Sequence, residues 1–105
     1  MKLIFSPESK KDLLDIAAYI AIENPKIALE FIDELEESCK KLEEFPSIGV
    51  ARPELEKDSR MLVHKKYLIF YYVSEGCVVI DRFLPGSRDL EAIFENKEPR
   101  FPIKK

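Results

Sequence analysis

Residues 60–84 read RMLVHKKYLIFYYVSEGCVVIDRFL, three apolar runs separated by two polar breaks. In the middle run, strand alternation sends Tyr67, Ile69, Tyr71 and Val73 to one face and Leu68, Phe70 and Tyr72 to the other. Both faces are apolar or aromatic, which predicts a central strand covered on each side. Ser74-Glu75-Gly76 reads as a three-residue hairpin loop, with Gly76 placed for the left-handed conformation. Lys65-Lys66 reads as a weaker turn, since it has no Gly, Asn or Asp. The predicted product is a three-stranded antiparallel meander, against which the preceding helices must pack.

Upstream, Lys2 to Phe5 is a short strand candidate. Ser6-Pro7 then starts a helix: the Ser6 hydroxyl accepts an orphan amide, and Pro7 suits the first turn. This helix is expected over residues 7–23, with Leu13, Ile16, Ala17 and Ile20 on its buried face. Leu14 and Tyr19 broaden that stripe, and Lys10, Lys11, Asp12 and Asp15 are expected to stay wet. Asn24-Pro25 ends the first helix and caps a second, expected from Pro25 to about Glu44. Ala28, Phe31, Ile32, Leu35, Cys39 and Leu42 form its apolar face, and Glu30, Asp33, Glu34, Glu36 and Glu37 an acidic exterior. The short junction makes the pair an antiparallel hairpin. Phe45 to about Ser59 is expected to be irregular, with Leu55 plugging the core edge. Downstream, Pro85-Gly86-Ser87 turns into a short helix from Arg88 to about Glu95, docked by Leu90, Ile93 and Phe94. The order β-α-α-β-β-β-α makes an α+β domain over residues 1–95, with residues 96–105 as a C-terminal tail.

A chain of 105 residues is enough for one domain and one modest core. It has no apolar run long enough to span a bilayer, and no signal-peptide pattern precedes the first strand. Cytoplasmic localisation is therefore expected. Cys39 and Cys77 match no redox or zinc spacing and read as buried apolar residues. The single histidine, His64, excludes a His-rich metal site. The formal net charge of −3 is unevenly spread: residues 1–49 carry 6 basic and 11 acidic side chains, residues 50–105 carry 11 and 9. That falls well short of a basic nucleic-acid-binding domain.

Several stretches together carry a resemblance. They are DLLDIAAYIAIENPKIA (Asp12–Ala28), LEEFPSIG (Leu42–Gly49), RPEL (Arg52–Leu55), Arg60, YLIFYYV (Tyr67–Val73) and VIDRFLPGSRDLEAIF (Val79–Phe94). In this order and at these distances the chain resembles the RelE/ParE family of type II toxin–antitoxin toxins, most closely the ParE-like branch. The resemblance implies a growth-inhibiting toxin bound and neutralised by a cognate antitoxin in an oligomeric complex. It implies DNA gyrase as the target, no cofactor, no metal and no chemistry of its own. RelE-like relatives instead cut mRNA in the ribosome, and a third reading is a non-toxic scaffold that retains antitoxin binding.

Residue chemistry bears on that choice. Metal-independent RNA cleavage needs a base, an acid and cations around the phosphate. A nuclease reading would use Arg60, His64, Lys65 and Arg82. However, the segment after Tyr72 holds no Tyr and no His, which favours a binding surface. On the gyrase reading Arg60, Arg82, Arg88 and Asp89 contact the target. Antitoxin contact is expected on the Leu14/Tyr19 side and around Met61 and Leu62, where grooves beside a helical hairpin and sheet rim receive an amphipathic helix or an added strand.

Overall fold

A computed structural model of the chain describes residues 1–87 and 90–95. The elements are β1 (Lys2–Phe5), α1 (Pro7–Ala21), α2 (Pro25–Glu44), β2 (Val50–Ala51), β3 (Arg60–His64), β4 (Tyr67–Ser74), β5 (Cys77–Pro85) and α3 (Leu90–Glu95). The five strands form one sheet in the order β1-β5-β4-β3-β2. Its β3–β4–β5 centre is the expected meander, antiparallel throughout. β1 joins β5 in parallel, Lys2 to Phe5 opposite Cys77 to Ile80. The helical hairpin is the crossover that such a parallel pair requires.

Both helix starts follow from their caps. Ser6 is extended (φ −66°, ψ 159°), and its Oγ accepts from Ser9 N at 3.0 Å. Asn24 Oδ1 accepts from Ile27 N at 3.2 Å. One prolyl residue follows each cap, where its missing N–H costs nothing. The second helix buries Ala28, Phe31, Leu35, Cys39 and Leu42 against the sheet, each large side chain worth about 1.5–3 kcal/mol in transfer free energy. Their sheet-side partners are Ile69, Tyr71, Val78, Ile80 and Phe83. On the opposite face Phe70 and Leu84 pack with Phe94 of α3, and Leu55, Met61, Leu68, Leu90 and Ile93 close around them. The Phe70 and Phe94 rings meet edge-on, 4.9 Å between centroids.

A bulge reconciles β5 with both faces. Phe70 opposes Arg82 and Tyr71 opposes Ile80, so Asp81 is the unopposed residue. The extra residue lets Ile80 and Phe83, three apart, share the helix-covered face. Ser6 ties this bulge to the start of α1: its Oγ donates to Asp81 O at 2.8 Å, and its N donates to Ile80 O at 2.9 Å.

Four expectations are corrected. First, Ser74 pairs with Cys77, so the β4–β5 loop is the two residues Glu75-Gly76. Both have positive φ, 51° and 76°, the arrangement whose twist matches the flanking strands. Second, Val50–Ala51 is a short strand opposite Met61 and Arg60, inside the segment expected to be irregular. Third, Leu14 and Tyr19 do not widen the buried stripe; they are 71% and 73% exposed, because α1 turns only its Asp12–Ile16 line fully inward. Fourth, Asp12 is not wet. It is buried. The expected start of the last helix at Arg88, and the tail 96–105, lie outside the described residues.

Candidate functional site

Among the described residues, Arg60, His64, Lys65 and Arg82 are each engaged within the chain. Arg82 faces Asp12 of α1 in a two-pronged pair, Nε to Oδ2 at 2.7 Å and Nη2 to Oδ1 at 2.9 Å. Asp12 Oδ2 also accepts from Phe83 N at 3.0 Å. β1 covers this edge of β5 only as far as Ile80, so the carboxylate replaces the strand that stops short. Hydrogen bonding to Asp12 raises the Arg82 pKa further above its ordinary value. A phosphate at Arg82 would find its charge already balanced by the Asp12 carboxylate.

Arg60 serves the opposite edge. Its Nη1 donates to Gly49 O at 2.7 Å and Ser47 O at 3.3 Å. Beside it, Tyr71 Oη donates to Pro46 O at 2.8 Å and accepts from Gly49 N at 2.9 Å. A Cβ on residue 49 would lie 2.6 Å from that phenol oxygen, so glycine is the residue that permits the approach. Burial pushes the Tyr71 phenol up in pKa. Arg60 and Tyr71 together fasten the segment after α2 to the sheet.

His64 is held at both ring nitrogens. Nε2 lies 3.0 Å from Glu34 Oε1 and Nδ1 lies 3.3 Å from Ser38 Oγ. An ionised carboxylate only accepts, so Nε2 carries a proton; in the neutral ring this leaves Nδ1 to accept from the Ser38 hydroxyl. Lys65 Nζ meets the same Glu34 oxygen at 2.9 Å and sits 5.6 Å from the Phe31 ring centroid. These bonds, from Lys65 first and then His64, hold the Glu34 carboxyl below its ordinary pKa. The result is a tie between α2 and the β3–β4 turn.

An open groove of about 940 Å³ runs between α1 and the end of β5. Tyr19, Tyr67, Leu84 and Pro85 give it apolar and aromatic walls, and Glu8, Lys11, Asp15 and Lys66 bring charge to it. The Arg82–Asp12 pair also lines it. Of the residues expected to meet an antitoxin, Tyr19 lines this groove, whereas Leu14 does not. Met61 and Leu62 are half-buried on opposite faces of β3, Met61 against the α3 side and Leu62 against the helical hairpin. Arg88 and Asp89 lie outside the described residues.

The sequence reading missed the internal partners. Asp12 carried a signal: Ser9, Asp12 and Ile16, the buried residues of α1, recur at helical spacing, so a charge on that line needs a cation opposite. Ser38 and Glu34 carried none, because their partner arrives from a strand 26 and 30 residues away.

Residues 3–90 match the family described as the ParE toxin of type II toxin–antitoxin systems, parDE. Among curated proteins, none matches the chain. Among solved structures, the chain is similar to one from the chromosomal ParDE TA system of P. aeruginosa, with a TM-score of 0.71 and 23% identity. That similarity covers 81% of this chain and 95% of the other. At such identity it is the α+β fold that the two share.

Proposed function

We propose a function from one premise: the chain belongs to the ParE toxin family of type II toxin–antitoxin systems. On that premise it is a cytoplasmic growth inhibitor that acts on DNA gyrase by protein–protein contact, without chemistry of its own. A cognate antitoxin neutralises it in an oligomeric complex. The observation that carries the non-catalytic reading is the engagement of every candidate nuclease group. Arg60 is bonded to backbone carbonyls, Arg82 to Asp12, and His64 and Lys65 to Glu34. A general base must reach the proton it abstracts with a free lone pair. His64 has none in its neutral form. Arg60 and Arg82 then act from beneath the target surface by fixing the backbone, and direct contact falls to Arg88 and Asp89.

The groove beside Tyr19 supports the antitoxin part of the reading. Its aromatic walls suit apolar side chains projected from an amphipathic segment, and its mixed charges suit a polar flank. Pro85, without an N–H, and Asp12, occupying the Phe83 N–H, leave little of the β5 edge for an added strand. Recognition in this groove therefore runs through side chains.

The test is DNA supercoiling by gyrase with purified, antitoxin-free protein. Lost supercoiling with trapped cleaved DNA, reversed by the antitoxin, is the expected result. No effect from folded protein in large excess would sink the reading. Cleavage of ribosome-bound mRNA by the same protein would then establish the endoribonuclease alternative, and inactivity in both assays the scaffold.

A further inference from the structure

Arg60 and Arg82 use their guanidinium groups differently. Arg82 grips Asp12 side-on, with Nε on one carboxylate oxygen and Nη2 on the other. Arg60 donates from Nη1 alone, to Gly49 O and Ser47 O. Among the described residues nothing accepts from its Nε or Nη2. No buried side-chain nitrogen among them lacks a partner, so these two atoms reach solvent. The fork that holds a carboxylate in Arg82 is therefore open in Arg60. The two bonds from Nη1 fix the plane in which that fork is presented, which lowers the ordering cost of filling it.

Arg60 lines a recess of about 450 Å³, together with Pro46, Ser47, Pro53, Asp58 and Val73. Asp58 is held in the left-handed conformation, φ 62°, and makes no ion pair with Arg60 among the described residues. The recess thus offers one planar cationic fork with a carboxylate elsewhere on its wall. A dianion such as phosphate would bring a second charge that Asp58 opposes. A single carboxylate matches both the shape of the fork and its one charge. A space of this size holds more than a carboxylate alone, and its proline and valine walls suit the aliphatic stem of a glutamate and the peptide on either side of it. We infer that the Arg60 recess is a carboxylate socket whose ligand is an acidic side chain presented by a peptide. Arg60 then has two roles: Nη1 fastens the segment after α2, and Nε and Nη2 receive the ligand. The socket shares no residue with the groove beside Tyr19, and the inference is independent of the target.

Heteronuclear NMR of the arginine Nε–H groups in the full chain tests it, with the blocked tripeptide acetyl-Ala-Glu-Ala-amide as probe. The Arg60 signal, assigned by its loss in Arg60→Lys, is expected to shift saturably while the Arg82 signal stays still. The glutamine counterpart, acetyl-Ala-Gln-Ala-amide, should bind about tenfold more weakly, because a hydrogen bond to a charged group is the stronger one. Arg60→Lys keeps the charge without the fork and should weaken tripeptide binding by a similar factor, read from backbone amides around the recess, with unchanged circular dichroism. Asp58→Asn, which a left-handed backbone accepts, removes the opposing charge and should tighten binding. Equal affinities for the two tripeptides, or unchanged binding in Arg60→Lys, overturn the inference. So does an Arg60 signal that stays still up to the solubility of the acidic tripeptide. Inorganic phosphate that binds the recess more tightly than the tripeptide would give the site to phosphate and overturn the carboxylate assignment.

Discussion

The two edges of the sheet are closed in different ways. Where β1 stops, β5 hands its Phe83 N–H to the Asp12 carboxylate, and Arg82 neutralises that carboxylate. At the far edge, the segment before β2 is held by the Tyr71 phenol and the Arg60 guanidinium, both bonded to backbone. The first closure depends on two charges that need each other. The second uses one neutral donor–acceptor and one half-buried cation aimed at carbonyl oxygens. Removing a member of a shielded ion pair strands its mate, whereas removing a neutral group leaves dipoles that water can reach. The β5 edge is thus the more brittle of the two.

Substitutions can break or sharpen that contrast. The largest effect is expected from Asp12→Ala, which leaves Arg82 and the Phe83 N–H without partners; chemical denaturation should show a loss of about 3 kcal/mol. The double variant Asp12→Ala/Arg82→Met should recover a measurable part of it, and equal losses for single and double variants would refute the stranded-charge account. Tyr71→Phe comes next, at about 1–3 kcal/mol, with faster hydrogen exchange at Gly49. Its pH dependence has a definite sign. Burial raises the Tyr71 pKa, so the neutral phenol's contribution is full below the ordinary tyrosine value of about 10 and fades as pH rises through the higher folded value. The gap between wild type and Tyr71→Phe should therefore narrow only in strong alkali.

Arg60→Met is expected to cost about 1 kcal/mol, because Gly49 O and Ser47 O lie near solvent and can rehydrate. A loss equal to that of Asp12→Ala would remove the distinction between the edges. The smallest effect belongs to Glu34→Gln, away from both edges. Glu34 has a lowered folded pKa. Its contribution is present above the ordinary value of 4.5 and lost as pH falls through the lower folded value. Acid unfolding profiles of wild type and Glu34→Gln should converge below that window, and profiles that stay parallel would show that the tie carries no linkage.

The sequence revealed most of the scaffold and little of its wiring. Ser6-Pro7 and Asn24-Pro25 announce both long helices, since cap and proline act through neighbouring backbone alone. The two-faced apolar run of β4 announces the centre of the sheet in the same local way. Val50–Ala51 was hidden because two residues carry no periodicity, and only Met61 and Arg60 opposite make them a strand. The parallel pairing of β1 with β5 was hidden because Lys2–Phe5 does not encode which strand it will meet. Asp12 and Arg82 were readable one at a time as a helix charge and a strand charge. Their union, 70 residues apart in the chain, is a property of the folded surface, and so is the groove their pair helps to line.

The parallel pairing of the first strand with the last also sets a clock. β1 has no place in the sheet until Cys77–Ile80 exists to receive it, and Ser6 cannot complete its bonds until Asp81 has been made, 75 residues later. At synthesis rates of roughly 5–20 residues per second, that interval is about 4–15 s. Throughout it, the helical hairpin can form but has no finished sheet to rest on. A nascent or truncated chain that ends before β5 therefore lacks the Asp12–Arg82 closure and the groove wall at Leu84 and Pro85.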